Sequence, residues 1–149
     1  MRPTDRDEAA EIFVKLINQS VYVTGHDEFM DSLNTGIPKT LFSSLSPWFR
    51  SLPEQDREKV NNLVQQAMHS AIFNLLCIFD GVSGFERNEG RPVNYAVLLE
   101  VFNDMSALRH DDKELSIRIN PVMQKDPYLH DLFQELTEHT IFEAPIEKD

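Results

Sequence analysis

Cysteine is almost absent from this sequence. A single residue, Cys77, stands in a chain of 149 residues, so no internal disulfide and no zinc site built from several thiolates can form. It lies within Leu75–Phe79, the longest uninterrupted apolar run, which is far shorter than the roughly 18 residues of a membrane span. We therefore expect no transmembrane helix, and we expect Cys77 to be a buried and unreactive thiol.

Sequence motifs that announce a catalytic chemistry are also missing. The chain has no G-x-S-x-G nucleophile elbow, no phosphate-binding P-loop, no G-x-G-x-x-G dinucleotide loop and no H-E-x-x-H zinc motif. Acidic residues occupy the N-terminal positions where a secretory signal would carry apolar ones. These absences predict a cytoplasmic protein of a size common in bacteria, with no cofactor, and they favour a binding role over an enzymatic one.

Basic residues are scarce. Lysine and arginine number 14 against 25 aspartates and glutamates, a formal net charge of -11, and residues 121–149 alone hold two basic and seven acidic residues. Such a surface repels the phosphates of nucleic acids and anionic membranes, so neither is expected as a partner. It attracts a basic protein and accelerates the encounter, although acidic charge can also serve solubility alone.

The N-terminal half has the apolar spacing of helices. Thr4 is the expected N-cap of a first helix, and Val21–Thr24 with Gly25 is expected to end it. A second short helix is expected over residues 26–33. The segment Leu41–Phe49 is expected to be irregular or a short, broken helix.

A long central helix is the best-defined element. Ser51-Leu52-Pro53-Glu54 has the form of a capping box with proline in the first turn. Apolar residues keep helical spacing from Val60 to Phe79, and beyond Ile72 they occupy nearly all sides of the helix, which predicts an end buried in the core. Leu75 is therefore expected to be a core residue that costs about 2–5 kcal/mol when replaced by alanine. Gly81 is the expected C-terminal cap.

After the central helix the apolar period changes from 3.6 to 2. Residues 93–101 and 115–119 each predict a strand, and residues 103–114 are expected to join them as a long antiparallel hairpin loop. Asp126-Pro127 is expected to open a last helix. Helices followed by a small sheet and a final helix predict an α+β fold, and the length predicts a single domain over residues 1–149.

The leading functional hypothesis is a module that binds a basic protein, as an inhibitor or immunity protein binds a cationic toxin or nuclease. Its contacts are expected to be acids of a loop and of the last helix, which steer the encounter, together with aromatic anchors. The acids are Asp111, Asp112, Glu114, Asp131, Glu135 and Glu138, and the anchors are Trp48 and Tyr128.

The alternative hypothesis is a small-ligand pocket or an active site where the Asp80-Gly81 turn meets the sheet. The polar groups expected there are Asp80, Arg87, Arg91 and His110. Asp-Gly is first of all a turn sequence, which favours a structural role for the aspartate. A homo-oligomer that pairs strand edges between subunits is also compatible with the sequence.

A metal site is not predicted. Asp131, Glu135 and His139 are spaced four apart on the last helix, so their side chains can meet, with His130 beside them. The apolar residues of that helix are expected to take its inner face, however, which turns this acidic ladder outward into water.

Overall fold

The computed structural model describes residues 2–37, 41–82, 87–88, 91–92, 95–121 and 125–141, with side chains described at all of these except 41, 87–88, 91–92 and 139–141. Its described helices are α1 (Arg6–Leu16), α2 (Thr24–Thr35), α3 (Leu41–Ser51), α4 (Glu54–Phe79), α5 (Met105–Arg109) and α6 (Leu129–Ile141). Its strands are β1 (Arg87–Asn88), β2 (Arg91–Pro92), β3 (Leu98–Phe102) and β4 (Lys113–Arg118). This order confirms the predicted α+β class.

The first two helices form one continuous rod, because a π-helical segment over Ile17–Val23 joins them. The predicted helix end at Val21–Thr24 and Gly25 is wrong. β-Branched residues lower helix propensity by less than about 1 kcal/mol each, and Tyr22 in this stretch is buried. Gly25 serves packing instead, since a Cβ there would lie 3.3 Å from the Cε of Met68 on α4.

The two ends of this rod are capped by side-chain and backbone geometry. The N-cap is Asp5, whose carboxylate accepts a hydrogen bond from the backbone of Glu8 at 2.9 Å, and the predicted cap Thr4 instead donates to the Glu8 carboxylate. At the other end Gly36 takes the left-handed conformation with φ 74°, which glycine adopts without steric cost.

The junction of α3 and α4 differs from the predicted capping box. α3 continues through Pro47 to Ser51, so the expected irregular segment is helical. The Ser51 hydroxyl donates to the carbonyl oxygen of Trp48 at 2.7 Å, and it therefore finishes α3 rather than starting α4. Pro53 precedes the first residue of α4, Glu54, without a side-chain cap.

α4 ends in the glycine cap that the sequence predicts. Gly81 has φ 71°, its N–H donates to the carbonyl of Ile78 at 3.0 Å, and the N–H of Val82 donates to the carbonyl of Cys77 at 3.1 Å. This pair of bonds is a Schellman motif, which satisfies the last carbonyls of the helix. Asp80 is the residue at which the helix ends.

Only one side of α4 is buried. Ile72 and Leu76 are core residues, whereas Leu75 is 48% exposed and Ile78 36% exposed. The prediction that the helix end is buried on nearly all sides is therefore wrong, and so is the core assignment of Leu75. α4 has its main contacts with α6, α2 and the π-segment, which all cover the same flank.

β3 and β4 form an antiparallel pair, as predicted. Leu99 faces Ile117 and Val101 faces Leu115 across the ladder, so the apolar residues of the two predicted strands share one face. Their connection contains α5, which Asp104 caps by accepting from two backbone amides at 2.8 Å. The expected long loop is thus partly helical.

The core lies where α1, the π-segment, α4 and α6 meet the inner face of this hairpin. Leu129 and Phe133 of α6 are fully buried at its centre, and Arg6 of α1 donates to the carbonyl of Pro127 at 2.6 Å. α6 begins at Leu129, two residues after the predicted start at Pro127. Within the described ranges, no helix is both long enough and apolar enough to cross a bilayer.

Candidate functional site

The acids predicted in the loop before β4 are partly engaged within the molecule. Asp111 lies 3.2 Å from the ammonium of Lys113, which also bonds Glu100 at 2.7 Å, and these two hydrogen bonds raise the pKa of Lys113. Glu114 pairs with Arg2 at 2.5 Å. Asp112 is exposed. Ion pairing therefore reduces the charge that this loop offers to a partner.

The acids predicted on the last helix face outward. Asp131, Glu135 and Glu138 are all exposed on α6, while Phe133 is buried behind them. The side chain of His139 lies outside the described residues. Both predicted acidic sets are therefore exposed, and they differ in that Asp111 and Glu114 pair with lysine or arginine.

A groove of about 420 Å³ runs between α1 and α6. Its walls come from both helices, and its lining residues are Glu11, Val14, Lys15, Leu132, Glu135 and Leu136. Leu132 and Leu136 were expected on the inner face of α6. Leu136 is instead 38% exposed, because α1 leaves the space above it open.

The groove is apolar at the floor and charged at the edges, with an ion pair on one edge and a carboxylate on the other. Val14 of α1 is 2% exposed and forms part of the floor. Glu11 pairs with Lys15 at 3.2 Å on one edge, and Glu135 lies on the other. The i, i+4 spacing of Glu11 and Lys15 was the sequence signal for that edge, but the pairing of α1 with α6 is a long-range contact that periodicity does not reveal.

The two predicted aromatic anchors lie outside this groove. Tyr128 precedes α6 and is half-buried, with its ring centroid 5.3 Å from that of His130. Trp48 is 50% exposed on α3, whose main contacts are with α2. The structure therefore does not gather the aromatic and acidic residues into one patch.

Asp80, the centre of the alternative hypothesis, joins α4 to α6. Its side chain is fully buried, and one carboxylate oxygen lies 2.9 Å from the backbone nitrogen of His130 and 2.7 Å from Nδ1 of the same residue. The carboxylate thus satisfies a backbone donor in the first turn of α6, where a negative charge is stabilised by the helix dipole.

The prediction that His130 faces solvent is wrong, because its side chain is only 13% exposed. Its ring meets Phe73 edge-on at 5.3 Å, and its Nε2 lies 3.4 Å from Asp131. Asp80 and His130 are 50 residues apart, so no local pattern indicated the pair. A buried carboxylate on Nδ1 would orient an imidazole for catalysis, but here the same carboxylate is used as a helix cap.

His110 is not brought to Asp80. It is exposed at the end of α5, at the closed end of the β3–β4 hairpin, whereas α4 meets the hairpin at its open end through Asn120 and Tyr95. The five residues of β3 separate the two ends, a rise of about 13 Å from the first to the last. The side chains of Arg87 and Arg91 lie outside the described residues. The described members of the predicted pocket therefore do not converge.

Cys77 is partly buried rather than fully buried. Desolvation raises the pKa of its thiol, and the charges of Asp80 and Asp131 raise it further. A raised pKa favours the unreactive thiol form at neutral pH, and the low reactivity of Cys77 stays a prediction.

His69 belongs to an aromatic cluster between α4, α6 and the π-segment. Its ring stacks on Phe133 at 5.1 Å and meets Tyr22 edge-on at 6.1 Å, and Nε2 lies 2.9 Å from the hydroxyl oxygen of Thr137. Burial lowers the pKa of His69 below its ordinary value, because the charged imidazolium is poorly solvated there.

We expect His69 to make the protein less stable in mild acid. Its pKa is 6.5 in the unfolded chain and lower in the folded one, so its stabilising contribution is complete above pH 6.5 and is lost as the pH falls through the folded pKa. Urea unfolding at about pH 7.5 and pH 5.5 should therefore show a smaller pH effect for His69→Gln than for wild type. His110→Gln, at an exposed site, should keep the wild-type profile. Parallel profiles for wild type and His69→Gln would contradict the assignment.

A smaller cavity of about 160 Å³ opens beside the π-segment. Its lining residues are Tyr22, Val23, His26, Asp27 and Gln65. The Nε2 of His26 is buried there without a hydrogen-bond partner among the described residues, and burial raises the pKa of Tyr22. π-Helical turns occur frequently at functional sites, so this cavity is a candidate for a small polar ligand.

The described side chains do not form a metal site. Among the described side chains, no three histidines, cysteines, aspartates or glutamates converge as ligands. No protein-family model, no curated protein and no solved structure matches this chain.

Proposed function

We propose that this chain is a cytoplasmic, non-enzymatic bacterial module of the inhibitor or immunity type, which binds a basic protein. The observation that carries the proposal is the groove between α1 and α6. It combines an apolar floor at Val14, Leu132 and Leu136 with carboxylates at Glu11 and Glu135 on its edges. Lys15 pairs with Glu11 on one edge, so the two carboxylates and one ammonium leave the edges with a net negative charge, which favours a basic partner.

The segment that fits such a groove is a basic amphipathic helix. Helices dock in grooves between helices by placing apolar side chains at i, i+3 or i+4, and i+7 on the floor. The flanking lysines or arginines would then meet Glu11 and Glu135. Glu138 follows Glu135 by three residues, which is nearly one turn further along α6. It would therefore extend the acidic edge along the helix axis.

The charge of the whole chain supports the same partner. A net charge of -11 accelerates the approach of a cation over roughly a Debye length, about 8 Å at physiological salt. Asp131 adds a further exposed carboxylate at the start of α6. Affinity would come from the apolar floor, and the acids would supply steering and specificity.

The test uses a synthetic helical peptide with leucines on one face and lysines on the other, and a scrambled peptide of the same composition. We expect Glu135→Lys to slow association with the amphipathic peptide several-fold and to flatten its salt dependence, because the reversal removes attraction at the groove. The scrambled peptide should bind weakly to both proteins.

A matched control is Glu28→Lys on α2, which reverses one exposed charge away from the groove. It alters the net charge of the protein by the same amount as Glu135→Lys and should slow association much less. Equal slowing by the two reversals would mean that only net charge matters, and the groove would then lose its role. NMR chemical shift changes that appear on addition of the peptide and are confined to α1 and α6 would support binding in the groove.

A second candidate function is the binding of a small polar ligand in the π-segment cavity. The buried Nε2 of His26 favours it, because a buried polar atom without a partner costs about 1–3 kcal/mol and a ligand would supply that partner. This location differs from the predicted pocket at Asp80, where one carboxylate oxygen is engaged with His130 and the other is buried without a hydrogen-bond partner among the described residues.

A further inference from the structure

A cavity of about 290 Å³ lies between α2, α3 and the first turns of α4. Its apolar wall includes Met30 of α2 and Phe49 of α3, and Phe49 is only 2% exposed. The polar side chains that line it from α4 are those of Glu54, Arg57, Glu58 and Asn61. None of these residues lines the α1–α6 groove or the π-segment cavity, so this cavity is a separate site.

The sequence of α4 places its polar lining residues on one face of the helix. They follow one another at intervals of three, one and three residues, which is the spacing of neighbours on one side of a helix. Arg57 thus lies between Glu54 and Glu58 on the face that lines the cavity. Among the described lining residues these three are the charged ones, so the cavity presents one guanidinium beside two carboxylates.

Arg57 has hydrogen-bond donors that the protein does not use. Its Nε is buried without a hydrogen-bond partner among the described residues, and it forms no ion pair with a described carboxylate, although Glu54 precedes it by only three residues. A guanidinium holds five N–H donors in a planar fork that matches a carboxylate. Five other cations within the described ranges do pair with a carboxylate, namely Arg2, Arg6, Lys15, Lys59 and Lys113.

We propose that this cavity binds a free α-amino acid with an apolar side chain. The guanidinium of Arg57 would donate to the α-carboxylate, and Glu54 and Glu58 would accept from the α-ammonium. The side chain of the ligand would pack on Phe49 and Met30. This inference goes beyond the proposed function and does not depend on it, because the two sites share no residue.

The charges of the cavity select a ligand that carries both signs. Two carboxylates against one guanidinium leave the polar wall with a net negative charge, so a simple anion is repelled. A simple cation would pair with a glutamate but would leave Arg57 without a partner. An α-amino acid holds its carboxylate and its ammonium side by side, as α4 holds the guanidinium and the glutamates, and it therefore satisfies both.

The volume of the cavity sets the size of the ligand. At roughly 30 Å³ per water molecule, the cavity holds about ten waters, which is room for an amino acid of the size of leucine. The apolar wall favours such a side chain because contact with Phe49 removes it from water. Glu54 and Glu58 are exposed, and water weakens ion pairs at exposed sites. We therefore expect a dissociation constant on the order of 0.1–1 mM.

The test of the ligand class is a titration with L-leucine, followed by NMR chemical shift changes at the residues that line the cavity. Two matched compounds keep the leucine side chain, since N-acetyl-L-leucine lacks only the ammonium and L-leucinamide lacks only the carboxylate. Each should bind about fivefold or more weakly than L-leucine, because each leaves one sign of charge in the cavity without its partner. Equal binding of either compound and of L-leucine would overturn the proposed class.

Arg57→Gln tests the residue on which the proposal depends. It should raise the dissociation constant for L-leucine about tenfold or more, because a neutral amide forms no ion pair with the carboxylate. Arg57→Lys keeps the charge without the fork and should have an intermediate effect. The matched control Arg109→Gln removes the same charge from an exposed site on α5, which lines no part of this cavity, and should bind L-leucine within about twofold of wild type.

Circular dichroism establishes that each variant is folded. Absence of L-leucine binding by the wild type, at concentrations about tenfold above the expected dissociation constant, would overturn the proposal. Unchanged affinity in folded Arg57→Gln, or equal losses in Arg57→Gln and Arg109→Gln, would show that Arg57 does not hold the carboxylate and would overturn the site. The peptide experiment with Glu135→Lys is unaffected by these results, so the two proposals fail separately.

Discussion

Leu76→Ala is expected to lower the free energy of unfolding by about 2–5 kcal/mol, the range for deleting a buried leucine side chain. Leu76 is 1% exposed and packs on the core side of α4, where α6 and the π-segment cover it. Alanine would leave a cavity there, because helices packed on both sides cannot close in fully. Urea unfolding followed by circular dichroism measures the loss.

The neighbouring substitution Leu75→Ala is the control. Leu75 is 48% exposed, so its truncation should cost less than about 1 kcal/mol. Similar losses at the two positions would show that the burial of α4 has been assigned to the wrong side.

Asn120→Asp is expected to destabilise the protein by about 2 kcal/mol, because the carbonyl of Phe79 loses this hydrogen-bond donor and the carbonyl of Tyr95 keeps only the donor from Arg118. Asn120 is fully buried. Its amide nitrogen donates to the carbonyl of Phe79 at 2.6 Å and of Tyr95 at 2.7 Å. Its oxygen accepts from the backbone of Val97 at 2.9 Å and from Nε of Arg118 at 3.1 Å. A carboxylate in this place would aim its charge at two carbonyl oxygens.

The same replacement at Asn62, an exposed position on α4, should leave the free energy of unfolding within about 0.5 kcal/mol of wild type. Lowering the pH should reduce the penalty at residue 120, since a protonated carboxyl can donate to one of the carbonyls again. A loss at residue 120 no larger than that at residue 62 would mean that Asn120 does not hold α4 to the hairpin.

Local pattern predicted the elements of this chain better than their partners. The span of α4 and its glycine cap follow from apolar spacing and from Gly81, both of which act within a few residues. The side of α4 that faces the core does not follow, because residues beyond Ile72 are apolar all round. Which side is covered depends on where α6 packs, and that is a contact between distant parts of the chain.

The candidate site shows the same division. Exposure of Asp131, Glu135 and Glu138 could be predicted, since a charged side chain on an amphipathic helix takes the solvent side. The apolar floor of the groove could not, because it needs the pairing of α1 with α6. The pair of Asp80 and His130 shows this more strongly. Local sequence indicated a turn residue at Asp80 and a surface histidine at His130. The contact between them, which joins distant parts of the chain, gives both residues a different role.

The π-segment also sets the winding phase of the N-terminal rod. In an unbroken α-helix, at about 100° per residue, Leu33 would sit about 240° around the axis from Ala9, although both are buried. Turns closed by i to i+5 bonds advance less per residue, so Ile17–Val23 changes the rotation of α2 relative to α1 about the rod axis. Deleting one residue from this segment would therefore shorten the rod and also rotate α2 by roughly 100° about its axis. Leu33 would then turn away from α3 and α4, although no residue of α2 is changed.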